Sequence, residues 1–132
     1  MHATAAAEVY NGNGYGYDPM LEAAEYGISI TYDEAAPDMG QYDPDGSIIT
    51  IRHNTRTYYR STVTFQLAHA VLDAPTIADA VEFACARLIA HEDIVALARA
   101  TAVRRIWAKA LNVRTWLLDA YLQIRSGLPV TS

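Results

Sequence analysis

Arg60-Ser-Thr-Val-Thr-Phe-Gln-Leu-Ala-His-Ala-Val-Leu-Asp73 is the stretch on which the reading of this chain turns. From Thr57 to about Leu72 the apolar positions Tyr59, Val63, Leu67, Ala70 and Val71 recur at helical spacing, and Asp73-Ala-Pro75 interrupts them. The spacing therefore predicts one helix. At 100° per residue, Phe65 and His69 lie one above the other on the face opposite Val63 and Leu67, flanked by Thr62, Gln66 and Asp73. A histidine four residues after another ligand is how a helix grips zinc, with a glutamate directly after the first ligand as general base. Here that frame reads Phe65-Gln66-Leu67-Ala68-His69. Phenylalanine has no lone pair for a metal, and the neutral carboxamide of Gln66 has no basic site to take a proton from water.

Working outward, Thr76 is placed to cap a second helix with Ile77, Ala80, Val81, Ala84 and Leu88 as its inward stripe. Cys85 sits beside that stripe and reads as an inert core thiol. Upstream, Ile28 to Tyr32 and Ile48 to Ile51 alternate with period two, and the second run follows the turn Asp43-Pro-Asp-Gly46. These imply a small antiparallel sheet. Asp18-Pro19 opens a short helix with Met20, Leu21 and Ala24 on one face and Gly27 as its stop. Helical patterns follow at about 93 to 100, 103 to 111 and 115 to 124, and Gly127 and Pro129 end the fold. The fold class is α+β. Residues 18–125 form the single domain, preceded by a glycine- and tyrosine-rich arm (1–17) and followed by a short tail (126–132).

A chain of 132 residues holds one core, and its 52% hydrophobic content with two tryptophans excludes global disorder. One cysteine cannot form an internal disulfide, and no run of about 18 apolar residues is present to span a bilayer. No signal-like segment opens the sequence, so the expected compartment is a reducing cytoplasm, with no membrane partner. The net charge of −5 conceals a division. Nine acidic residues and no Lys or Arg precede Arg52, whereas ten basic and six acidic residues occupy the rest. That polarity suits either an acidic or nucleic-acid partner, or pairing between the two halves of the domain, which is the simpler reading.

The segment 60–73 resembles the zinc-binding helix of the ImmA/IrrE-type metallopeptidases, whose form is commonly R-x-T-L-A-H-E-L-A-H-A-x-L. Gly40-Gln-Tyr42, the Asp-Pro-Asp-Gly turn and Ile48-Ile-Thr-Ile51 resemble the strands before that helix, and Asp79-Ala-Val-Glu-Phe-Ala-Cys-Ala-Arg-Leu-Ile89 is similar to the family's E-A-x-x-F-A-A-x-L-L. The likeness covers roughly residues 18 to 125. By this resemblance the first zinc histidine falls on Phe65, the catalytic glutamate on Gln66, the second histidine on His69 and the glutamate ligand on Asp79. Two of the four are lost outright, which implies a pseudopeptidase of prophage or mobile-element type with no catalytic residues and no zinc.

In such a protein the binding surface would outlast the cut, so the expected partner is a protein such as a repressor, held rather than cleaved. If Phe65 is covered by Tyr26, Tyr32 or the N-terminal arm, it is a plug; if it lies open in an apolar groove, it binds peptide. A relocated metal site would have to draw on His69, Asp73, Asp79 and His91, although Asp73 also reads as a helix terminus or turn residue and His91-Glu-Asp93 as the cap of the next helix. A third reading places DNA or partner contacts on Arg99, Arg104, Arg105, Lys109 and Arg114, because Ala108, Asn112, Val113 and Leu118 have helix-turn-helix spacing. The helix that would read bases, from Arg114 to Tyr121, is mostly apolar, so a solvated helical face is the simpler account.

Overall fold

The computed structural model describes residues 16–126, so nearly all of the predicted arm and tail lie outside the described residues. Six helices and three strands follow in the order α1 (Pro19–Glu25), β1 (Ser29–Tyr32), β2 (Gln41–Asp43), β3 (Ile48–Ile51), α2 (Arg56–Val71), α3 (Ile77–Leu88), α4 (His91–Ala100), α5 (Arg104–Leu111) and α6 (Thr115–Arg125). The class is α+β, as the sequence implies.

The sheet departs from expectation in its handedness of pairing. Its order is β1-β3-β2, and β3 runs antiparallel to β2 but parallel to β1, with Ile30 opposite Ile49. The Asp43-Pro-Asp-Gly46 turn joins β3 to the short β2, which takes the hairpin position. The eight-residue connection from Asp33 to Gly40 then brings β2 to the far edge, leaving β1 to lie parallel along the other. Ile49 and Ile51, both fully buried, form the inner face. Gly40, at φ +72°, lets the chain enter β2 close against α2: a Cβ there would stand 2.9 Å from Thr62 Cγ2 and 3.2 Å from Thr50 O.

Helix α2 is buried almost all the way round, from Tyr58 and then Arg60 through Ala68. One side presents Tyr58, Val63 and Leu67 to Ala23, Ile28, Ile49 and Ile51. The other presents Phe65 and Ala68 to Ala80, Val81, Ala84, Cys85 and Leu88 of α3 and to Leu117 and Leu118 of α6. The helix thus separates two apolar clusters, and Phe83 packs at the margin of both. Helix α3 opens with a capping box, in which the Asp79 amide donates to Thr76 Oγ1 at 3.0 Å and the Thr76 amide to Asp79 Oδ2 at 3.1 Å. Ala80, Val81, Ala84 and Leu88 face inward as expected; Ile77, in the first turn, is 40% exposed because it precedes the interface. Burial raises the Cys85 thiol well above its ordinary pKa, which keeps it protonated and unreactive.

Helix α1 turns a different face inward from the one its apolar residues suggest. Asp18 caps it, accepting from the Met20 amide at 2.9 Å, yet Met20 and Leu21 point outward while Pro19, Glu22 and Ala23 are buried. The cause is Glu22. Its fully buried carboxylate accepts from the Tyr17 hydroxyl at 2.5 Å and from Arg87 Nε at 2.8 and 3.1 Å, and the Arg87 guanidinium lies 3.5 Å from the Phe83 ring centroid. Burial foremost, then the Glu22 charge, drives the Tyr17 phenol far above its usual pKa, so it remains a neutral donor. Neutralising Glu22 removes the fully buried carboxylate to which both the Tyr17 hydroxyl and the part-buried Arg87 guanidinium donate. Glu22→Gln is therefore expected to cost about 3 kcal/mol or more in urea denaturation, with exposed Glu34→Gln as the control; a loss no larger than that control contradicts the role given to this cluster.

Candidate functional site

Helix α2 places Phe65, Gln66 and His69 where the helical wheel puts them, and packing then commits each to the scaffold. Phe65 is only 3% exposed. Its ring meets Trp116 of α6 edge-on at 5.2 Å between centroids and 90° between planes, and meets His69 at 5.2 Å and 63°. Trp116 thus covers the ring, and Tyr26 and Tyr32 are 47% and 52% exposed; of the arm, residues 1–15 lie outside the described residues, and Tyr17 belongs to the same buried cluster as Phe65. At 3% exposure Phe65 is a plug and does not lie open in a groove.

Gln66 is buried as well, and its Nε2 donates to the Met39 carbonyl at 2.7 Å, fastening the chain before β2 onto the helix. His69 is half-buried, and its Nδ1 donates to the Phe65 carbonyl one turn back at 3.1 Å. Asp79 is occupied by the capping box of α3. Its carboxylate is a helix cap in this chain, with the reach of its side chain spent on Thr76.

The residues of a relocated metal site do not come together. Asp73 and Asp79 border a shallow groove of about 510 Å³ with Pro75, Glu82 and Phe83, but neither His69 nor His91 lines it. His91 is the exposed first residue of α4. Among the described residues, no group of three or more His, Cys, Asp or Glu side chains is arranged to hold a metal ion. The zinc carried by intact members of the family that the sequence resembles would meet an unsuitable set of side chains here: a phenyl ring, a hydrogen-bonded amide, one imidazole and a capping carboxylate.

The basic residues divide into paired and unpaired groups. Arg114 Nη2 lies 2.8 Å from Asp38 Oδ2, its Nη1 donates to the Asp38 carbonyl at 3.2 Å, and its guanidinium carbon sits 4.9 Å from the Tyr58 ring centroid. Arg114 is consequently a brace between α6 and the segment before β2. Arg52 also approaches Asp38, at 3.9 Å, and Arg87 pairs with Glu22, so three bridges join the acidic half of the sequence to the basic half. Much of the charge polarity is satisfied within the domain. Arg104 approaches Asp119 at 3.9 Å, whereas Arg99, Arg105 and Lys109 are exposed and form no bridge with a carboxylate among the described residues.

The helix-turn-helix spacing finds its backbone but not its surface. Asn112 adopts the left-handed conformation at φ 57°, ψ 45°, and Ala108, Val113 and Leu118 are buried anchors. Helix α6, however, buries Leu117, Leu118 and Tyr121, and Trp116, Leu122 and Ile124 also pack against the core. An element so engaged has little polar face left to enter a DNA groove.

Sequence reasoning missed two contributors to this region. Trp116 was legible only as an aromatic beside Leu117 and Leu118, a run that signals a core helix. The Glu22–Arg87 pair joins positions 65 residues apart, and no local pattern announces it. Comparison with protein-family models, curated proteins and solved structures gives no match to this chain. Since Phe65 is buried in the core against Trp116 and α3, Phe65→Ala is expected to cost about 3–5 kcal/mol in thermal or urea unfolding; a change under about 1 kcal/mol would show that the ring is not packed as described.

Proposed function

We propose that this chain is a catalytically inactive, ImmA/IrrE-like metallopeptidase relative that works in the cytoplasm by binding a protein partner, such as a phage or mobile-element repressor, without cleaving it. The reading is carried by one observation: at the positions where peptide hydrolysis needs a metal ligand and a base, Phe65 is sealed beneath Trp116 and the Gln66 amide is held by the Met39 carbonyl. Peptide hydrolysis of the metal-dependent kind requires an ion to polarise the carbonyl and a group to deprotonate water. Neither function can be performed by those two side chains. Because the plug makes a stable interior out of what would otherwise be a cleft, activity by occupancy is the remaining use of such a scaffold. Holding a repressor would change its availability for DNA and thereby alter gene expression or immunity.

The DNA-binding alternative would rest on Arg99, Arg105 and Lys109 alone, since Arg114 and Arg104 have carboxylate neighbours in the fold. The test uses the purified full-length chain, incubated with excess zinc, desalted and measured for bound metal, then mixed with candidate repressors. Co-elution of an intact complex with substoichiometric zinc and no cleavage products by mass spectrometry is the expected result. Stoichiometric zinc with turnover contradicts the proposal. So does salt-dependent binding to duplex DNA with no protein complex formed.

A further inference from the structure

A cleft of about 460 Å³ lies between α5 and the start of α6, with Arg105, Lys109, Arg114, Thr115 and Trp116 in its wall. We infer that this cleft binds a phosphoryl group, specifically that of a phosphorylated side chain on a protein partner. The inference deepens the proposal that the chain holds a protein partner, and rests on it.

Charge supplies the first argument. Arg105 and Lys109 are four residues apart on α5, so their cationic groups share one face of the helix, an arrangement that repels and weakens an isolated helix. Both are exposed, and among the described residues neither meets a carboxylate within bridging distance. Arg114 completes the set, and Asp38 offsets one of the three charges. The cleft thus carries a formal charge of about +2, which matches a phosphate monoester of about −1.5 to −2 at neutral pH better than a single carboxylate.

Geometry supplies the second. Two of the five N–H donors of Arg114 are used by Asp38, and its backbone amide donates to Ser61 Oγ at 2.9 Å, so the guanidinium is fixed in place with donors to spare. A fixed guanidinium loses little entropy when it takes an oxyanion in bidentate fashion. The residues beside it, Thr115 and Trp116, open α6, whose first turn has no acidic residue and no side-chain cap. The positive end of that helix adds to the same field. Trp116, half-buried, offers an apolar wall for the residue adjoining the phosphoryl group.

A protein segment suits this arrangement better than duplex DNA. The three cations line one cleft, whereas duplex DNA presents a charge about every 1.7 Å along its axis and gains affinity from many spaced contacts. The Asp119 carboxylate next to Arg104 would repel the flanking phosphates of a continuous backbone.

The test follows the Trp116 indole and Thr115 amide resonances of the full chain by NMR during titration with a blocked pentapeptide carrying a central phosphoserine. The controls are the same peptide with serine, inorganic phosphate and a short DNA duplex. The phosphopeptide is expected to shift both resonances saturably, the serine peptide not at all, and inorganic phosphate to bind about tenfold more weakly. Arg105→Glu with Lys109→Glu is expected to weaken the phosphopeptide by tenfold or more, and Arg105→Gln with Lys109→Gln to weaken it while leaving the spectrum folded. Absence of shifts, unchanged affinity in both double variants, equal binding of inorganic phosphate, or tighter binding of the duplex at these resonances would each overturn the inference. If a repressor complex forms equally well before and after phosphatase treatment and with either double variant, the phosphoryl site is wrong while partner binding stands. If the phosphopeptide binds but no protein complex forms, the proposed occupant is wrong.

Discussion

The burial of α2 on both sides is the constraint from which the other features follow. A helix packed against the sheet and α1 on one side, and against α3 and α6 on the other, has no free face along its middle turns. The side chains from Arg60 to Ala68 are then mostly either apolar or supplied with a polar partner from within the domain, and the Thr62 hydroxyl, buried with no hydrogen-bond partner among the described residues, is the exception. Thr64 meets this demand by donating to the Arg60 carbonyl at 2.6 Å, Ser61 by accepting from the Arg114 amide, and Gln66 by donating to the Met39 carbonyl. Phe65 meets it by stacking edge-on with Trp116. A buried phenyl ring contributes roughly 1.5–3 kcal/mol through its removal from water. A metal-binding histidine at the same position would have required a polar cavity, and with it the loss of that contact.

The features that the sequence disclosed are those decided locally. The limits of α2 follow from apolar spacing and Asp73-Ala-Pro75, the capping box of α3 from Thr76 and Asp79, and the left-handed turn from Asn112. What it concealed depends on contacts between distant residues. The parallel direction of β1 depends on β2 taking the hairpin position, although β2 has only three residues and weak alternation. The inward face of α1 was misjudged because Glu22 outcompetes Met20 and Leu21 for the interior through Arg87 and Tyr17. At the candidate site, Phe65, Gln66 and His69 were placed correctly on one helix, but the cover over Phe65 comes from α6, about 50 residues later. Nothing near Phe65 in the sequence signals that Trp116 will close over it.

The charge distribution unites stability with the proposed function. Asp38 restrains Arg114 and approaches Arg52, and Glu22 anchors Arg87, so acidic residues from the first half serve as internal counterions for the second. These contacts also brace the segment between β1 and β2 against α2 and α6, together with the Gln66–Met39 bond and the donation of the Tyr58 hydroxyl to the Asp38 carbonyl at 2.7 Å. Such cross-linking stiffens the packing around α2. Rigid packing suits a surface that recognises a partner without remodelling, since little ordering entropy remains to be lost on association. The positive charge left over after this pairing concentrates at Arg105 and Lys109, in a cleft whose wall includes Trp116, so the proposed phosphoryl site borders the residue that covers Phe65.

The central claim is that the interior around Phe65 is closed by packing and lacks the donors for a hydrolytic metal. Crystals of the full chain grown with zinc, measured on both sides of the zinc absorption edge, test it directly. The account predicts the Phe65 ring in edge contact with Trp116 and no anomalous peak beside His69. A zinc peak ligated by His69 with a bound solvent molecule, and the Phe65 ring turned away, would contradict it.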